Sequence, residues 1–341
     1  MVSLNTVYDI PDAFLDISSR DIKKVFDRPT LVSLKGDKSP ALFVSILLHG
    51  NEFSGLEIMQ ELLQKYKTAD GYKLPRSLWL FVGNVDAAAL GLRAREGEVD
   101  FNRAWPGTPN PQTDTAKLIQ KVVDTVSQDG LFAAIDLHNN TGVNPHYGCI
   151  SNVNEENKHL CTLFNHIGMV FKSPKGVSTM AFDTLCPAIT LECSTPGNKP
   201  AKEKAFLLID DLMHINHFPT KPVAKHDLQL VQNSATVKIN PHVDFCFEDD
   251  VANNAAMDLT LVENFDRHNF SMLKKDEIFA YTKVEKPLIV TSPEGKDITD
   301  EIIQNKNGTI SLKKAMMPAM ITLDKDIVRQ DCLCYLLEDY L

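Results

Sequence analysis

Residues 43–64 read FVSILLHGNEFSGLEIMQELLQ, and the change of character inside this stretch decides the fold. The preceding ALFVSILL (41–48) is apolar apart from Ser45, the continuous pattern of a strand buried on both faces rather than the alternation of a half-exposed one. His49, Gly50, Asn51 and Glu52 follow. Leu56, Met59, Leu62 and Leu63 then recur at helical spacing, with Ser54 placed to cap the helix. A buried strand that feeds a helix is a unit of α/β architecture, and such sheets bind ligands at the carboxyl ends of their strands. His49 and Glu52 sit at that end.

Working outward, TLVSL (30–34), SLWLFVGNV (77–85), FAAIDLH (132–138) and AITLE (188–192) read as further strands. TDTAKLIQKVVDTV (113–126), opened by Thr113 or Asp114, and AKEKAFLLIDDLMHIN (201–216) read as amphipathic helices. The alternation predicts an α/β fold with a mixed, mostly parallel central sheet flanked by helices. The texture changes after HFPTKPVAKHD (217–227), a segment with two prolines. ATVKI (235–239), DLTLV (258–262), PLIVTS (287–292), GTISL (308–312) and AMITL (319–323) are β-branched runs separated by turn residues. We expect a catalytic domain over 1–225 and a smaller β-rich domain over 226–341, the latter without a catalytic constellation.

The 341 residues are 43% hydrophobic and 23% charged, as in ordinary globular proteins. A net charge of −10 argues against a nucleic-acid or anionic-membrane partner, both of which need a basic face. It leaves room for a local basic pocket. The N-terminus lacks a basic region followed by an apolar one, and the apolar runs are far shorter than a membrane span. Seven cysteines, odd in number and without a CxxC pair, predict reduced thiols and a cytoplasmic protein.

Four polar clusters close predicted strands or follow them. They are LLHGNE with His49 and Glu52, EVDFNRAWPG with Asp100, Asn102 and Arg103, AIDLHNNTG with Asp136, His138 and Asn139, and AITLECSTPG with Glu192. Two histidines and one glutamate make a three-ligand set that leaves a fourth zinc position for water, which the ion acidifies. Asp136 shares a face with His138 on a regular strand and is a candidate partner for its ring. A carboxylate such as Glu192 at the end of an apolar strand is costly unless paired or functional. Beside activated water it suits a general base that then acts as general acid. Arg95 and Arg103 suit an anionic substrate, because a guanidinium binds a carboxylate as a fork. Each cluster alone is commonplace; their joint placement singles them out.

The ordered set HGNE, R-x6-NR, DLHN and a strand-end Glu resembles the succinylglutamate desuccinylase/aspartoacylase family, within the zinc carboxypeptidase-like group, over roughly residues 40–200. The resemblance implies a zinc carboxypeptidase-like fold and one Zn2+ per chain on His49, Glu52 and His138. It implies Glu192 as catalytic base, with Asn102 and Arg103 holding the substrate's terminal carboxylate. Arg95, seven residues before Asn102, would polarise the scissile carbonyl. The implied activity is hydrolysis of the amide of a small anionic N-acyl amino acid. Alternatives are a metallocarboxypeptidase acting on short or cell-wall-derived peptides with the same residues, and an inactive binding protein on the same fold. Aspartoacylases carry further Arg and Tyr residues before the catalytic Glu. Here Lys172 and Lys175 stand in that region instead, so the acyl specificity does not carry over. Trp105 can wall the pocket or belong to the core, and His146 and Tyr147 can shape the pocket or pack.

Overall fold

A computed structural model of the chain describes residues 3–248 and 257–340. It divides into two units, Met1–Asn139 with His146–Gln229, and Asn140–Pro145 with Leu230–Leu341. The strands of the first unit are β1 (Asn5–Val7), β2 (Thr30–Leu34), β3 (Gly36–Ile46), β4 (Lys67–Thr68), β5 (Gly71–Tyr72), β6 (Leu74–Val82), β7 (Leu131–His138), β8 (Tyr147–Ile150), β9 (Ile167–Val170) and β10 (Ala188–Glu192). Its helices are α1 (Ser54–Tyr66), α2 (Val85–Leu90), α3 (Asp114–Val126), α4 (Glu155–Phe164), α5 (Ser178–Phe182) and α6 (Lys199–His214).

The strands of the central sheet lie in the order β1-β2-β6-β3-β7-β10-β8-β9, while β4 and β5 form a small hairpin. The pairs β1/β2, β6/β3, β3/β7, β7/β10 and β8/β9 are parallel; β2/β6 and β10/β8 are antiparallel. The sheet is therefore mixed and mostly parallel, as the alternation of elements predicts. Every residue of β7 is buried, which is why its sequence is a continuous apolar run rather than an alternating one. Helices cover both faces. On one, Gly55 of α1 comes so close that an added Cβ would lie 2.9 Å from Leu137 Cβ. On the other, Leu118, Ile119 and Val122 of α3 share a core with Phe43, Phe81 and Ala134.

Local chemistry sets the helix starts. Thr113 caps α3 by accepting from the Ala116 N–H, one of the two starts open to the sequence. α1 departs from expectation: Ser54 is not its cap, and the Ser54 N–H is taken by Asn139 Oδ1 at 3.1 Å. A side chain at the end of β7 thus closes the helix that follows β3.

The three parallel strands β3, β7 and β10 lie side by side and end together. In register, Ser45 faces Asp136 and Asp136 faces Thr190, while His138 faces Glu192. Parallel register therefore gathers the chain after β3, the end of β7 and the end of β10 at one edge.

The second unit contains β11 (Gln229–Ile239), β12 (Phe245–Phe247), β13 (Leu259–Leu261), β14 (Ile278–Thr282), β15 (Leu288–Thr291), β16 (Ile303–Lys306), β17 (Thr309–Leu312), β18 (Met317–Ala319) and β19 (Cys334–Asp339), with short helices α7 (Thr299–Ile302) and α8 (Lys325–Gln330). A separate five-stranded sheet runs β12-β13-β14-β17-β16, and β11 pairs antiparallel with β15 and β19. The predicted strand AMITL is displaced. Its strand is β18, and past it Met320 has a φ of 59° while the Ile321 N–H goes to Asn269 Oδ1. Among the described residues no helix is long and apolar enough to cross a membrane.

Candidate active site

Past β3 the chain turns at Leu47, with a φ of 54°, and His49 follows two residues later. Gly50 is required by packing rather than by a left-handed conformation: a Cβ there would lie 2.1 Å from the Ala88 nitrogen of α2. The Glu52 N–H bonds the His49 carbonyl at 3.2 Å, so the turn brings the two side chains to one point. His138, the last residue of β7, arrives at the same point.

Glu52 is the centre of the cluster. Its Oε1 lies 2.7 Å from His49 Nδ1, and its Oε2 lies 2.7 Å from His138 Nδ1. Oε2 also accepts from the Asn139 N–H at 3.0 Å. The far side of each ring is met by a second carboxylate: His49 Nε2 lies 3.0 Å from Asp100 Oδ1, and His138 Nε2 lies 2.9 Å from Asp136 Oδ2. Arg93 reaches Glu52 Oε1 at 3.5 Å and Asp100 Oδ2 at 3.4 Å.

These contacts decide the ionisation of the cluster. Burial would raise the carboxyls of Glu52 and Asp100, but the neighbouring imidazoles, joined at Asp100 by Arg93 and Arg103, hold both far below the usual carboxylate range. Burial would likewise lower His138, yet Asp136 and Glu52 on either side keep it well above the ordinary imidazole value. The ligand-type atoms of His49, Glu52 and His138 lie within 4.8 Å of one another. In the neutral form that a metal ligand requires, each ring would keep Nε2–H directed outward to its carboxylate and leave the Nδ1 lone pair facing the point shared with Glu52. Two nitrogens and one oxygen braced in this way fit a divalent metal.

Glu192 ends β10 in register with His138 on one side and Tyr147 of β8 on the other. It is buried, and burial raises its carboxyl to about 7, with His138 lowering and Glu52 raising it further. Asn102 and Arg103 lie on a short 3-10 turn, Phe101–Arg103, anchored by buried Phe101 and capped by Asp100, whose Oδ1 accepts the Asn102 N–H at 2.7 Å. One carboxylate, Asp100, thus joins the turn to His49.

Residues 38–194 match the Succinylglutamate desuccinylase/Aspartoacylase catalytic domain, a span that contains the whole cluster. This span, a little under half of the chain, is similar to the catalytic domain of the succinylglutamate desuccinylase/aspartoacylase family. That family is one of deacylase-type hydrolases. The fold agrees with solved structures. A succinylglutamate desuccinylase from Chromobacterium violaceum superposes with a TM-score of 0.58 at 14% identity, covering 89% of this chain and 85% of that one. A succinylglutamate desuccinylase/aspartoacylase from Rhodobacter sphaeroides gives a TM-score of 0.59 at 10% identity, covering 91% and 89%. Murine aminoacylase 3 gives a TM-score of 0.52 at 14% identity, covering 89% and 97%. No curated protein matches the chain by sequence.

Of the residues singled out in this desuccinylase/aspartoacylase-like domain, His49, Glu52 and His138 come into one cluster, and register puts Glu192 beside it. Arg95 does not join them. Its exposed guanidinium pairs with Glu98 at 2.9 Å and Asp86 at 3.3 Å. The arginine at the cluster is Arg93, which sequence reasoning passed over; two arginines one residue apart in RAR offer no spacing signal for choosing between them. Trp105 is a core residue, fully buried against Phe43, Phe81 and Phe182. Lys172 and Lys175 line a separate cleft of about 410 Å³ with Ser151, Phe171 and Gly176.

Proposed function

We propose that the chain is a zinc-dependent deacylase hydrolysing the amide bond of a small anionic N-acyl amino acid, with one Zn2+ on His49, Glu52 and His138. The observation that carries this reading is the bracing of each imidazole between Glu52 and an outer carboxylate, which directs both Nδ1 atoms to one point. Such an ion supplies Lewis acidity, polarising a carbonyl and acidifying water at neutral pH.

The chain's own residues divide the remaining work. Glu192 takes the proton from the attacking water and returns it to the amide nitrogen as the C–N bond breaks; a carboxyl raised to about 7 suits both halves. Asn102 and Arg103 hold the substrate's carboxylate, the guanidinium as a fork. The oxyanion is assigned to Arg93 in place of Arg95, because Arg93 faces the cluster while Arg95 is engaged by Glu98 and Asp86. Catalysis is assigned to residues 1–225 rather than to the β-rich part, 226–341. Seven free cysteines support a reducing compartment, the cytoplasm.

The test is amine release by the zinc-reconstituted chain from a panel of N-acyl amino acids and short peptides. Cleavage of N-acyl amino acids is expected, and Glu192→Gln should lower turnover by more than about 10²-fold with zinc retained, as for loss of a general base. Cleavage confined to peptides would instead identify a metallocarboxypeptidase using the same residues. Wild-type turnover in Glu192→Gln would remove that residue from the mechanism, and zinc uptake without turnover on any substrate would indicate a binding protein.

A further inference from the structure

Ser45 interrupts the apolar run of β3 at a position that is 0% exposed. A hydroxyl in such a place is costly unless it is bonded. Its partner is Asp136 of β7, its register neighbour across the parallel pair and likewise 0% exposed. Ser45 Oγ donates to Asp136 Oδ1 at 2.7 Å, and Asp136 Oδ2 lies 2.9 Å from His138 Nε2. The terminal torsion of an Asp side chain is broad and roughly two-fold, so one hydrogen bond leaves the carboxylate free to swing, while donors on different oxygens fix its plane.

We propose that Ser45 is a positioning residue for the metal centre: its hydroxyl locks the Asp136 carboxylate so that Oδ2 holds the Nε2–H of His138 and Nδ1 is presented to the ion. This rests on the metal-site reading above. The support of the other ring is built differently. His49 leans on Asp100, whose carboxylate is held by the Asn102 N–H and Arg93 on a half-buried loop rather than by a neighbouring strand. Ser45 therefore acts on one of the two imidazoles, through one atom of one carboxylate.

The experiment is a zinc dissociation constant, measured by competition with a chromophoric chelator, for the full chain as wild type, Ser45→Ala, Asp136→Asn and the double variant, with thermal unfolding alongside. Ser45→Ala is expected to weaken zinc about tenfold, within the range for outer partners of metal ligands, and Asp136→Asn at least as much. Since Ser45 works through Asp136, adding Ser45→Ala to Asp136→Asn should cost no more than about a further twofold. Unchanged zinc affinity in Ser45→Ala overturns the proposal, as does the same tenfold loss in both backgrounds, which would show an effect independent of Asp136. Should Ser45→Ala not fold, Ser45→Cys keeps a similar shape with a weaker donor; wild-type affinity there is equally contrary. A wild-type chain that takes up no zinc would refute the metal site itself, a result distinct from an unaltered Ser45→Ala.

Discussion

Glu192 is a carboxylate closing an apolar strand, and its environment writes itself into the pH dependence of stability. Burial raises its carboxyl from an ordinary 4.5 to about 7, so folding favours the protonated form. That contribution is fully present below about pH 4.5 and is lost as pH rises through about 7, a difference on the order of 3 kcal/mol. His138, held up by Asp136 and Glu52 against the effect of burial, acts in the same sense at higher pH. Chemical denaturation of the metal-free chain between about pH 5 and pH 8 should therefore show falling stability, and Glu192→Gln should remove the Glu192 share. An unchanged slope in that variant would mean that Glu192 ionises normally. At this scale the sequence was legible where chemistry sits at strand ends, as in HGNE, DLH and TLE. It was opaque where orientation depends on neighbours. Arg95 lies at the expected spacing, yet Glu98 and Asp86 draw it outward, and only the fold puts Arg93 against Glu52.

Among elements, β6 and α6 are joined by Arg76, a guanidinium that is 1% exposed. It donates to the carbonyls of Leu212 and Ile215 at the end of α6 and to Pro40, at 3.1, 2.5 and 2.7 Å, and lies 3.7 Å from the Phe132 ring centre. Those helix-end carbonyls have no partner within the helix, so the arginine serves as an external cap. Arg76→Lys loses the planar fork and should cost about 2 kcal/mol in a urea titration, because a buried carbonyl is left unmet. A change below about 0.5 kcal/mol, the scale of an ordinary surface substitution, would contradict this role. The longer apolar strands and the amphipathic helices were legible from periodicity. β8 and β9 were not, since each has four residues including a glycine. Gly148 is there because a Cβ would lie 2.6 Å from Ile189 Cδ1, a packing demand that no local propensity reveals.

At the scale of the whole molecule, a chain of net charge −10 concentrates three basic side chains, Arg93, Arg103 and protonated His138, around buried carboxylates at the ends of parallel strands. The division between an α/β part and a β-rich part was legible in composition. The membership of Asn140–Pro145 in the second unit was not, because NTGVNP reads as an ordinary turn. Inside that unit Gly142 packs against the Ile321 carbonyl, and Asn144 Oδ1 accepts the Met320 N–H at 2.9 Å. The central claim is that a single zinc on His49, Glu52 and His138 makes this chain a deacylase. Its most direct test is amine release from an N-acyl amino acid by chelator-stripped protein titrated with zinc. Activity should start near zero, rise linearly and break at one zinc per chain. Undiminished turnover after stripping, or a rise with no break at one equivalent, would contradict it.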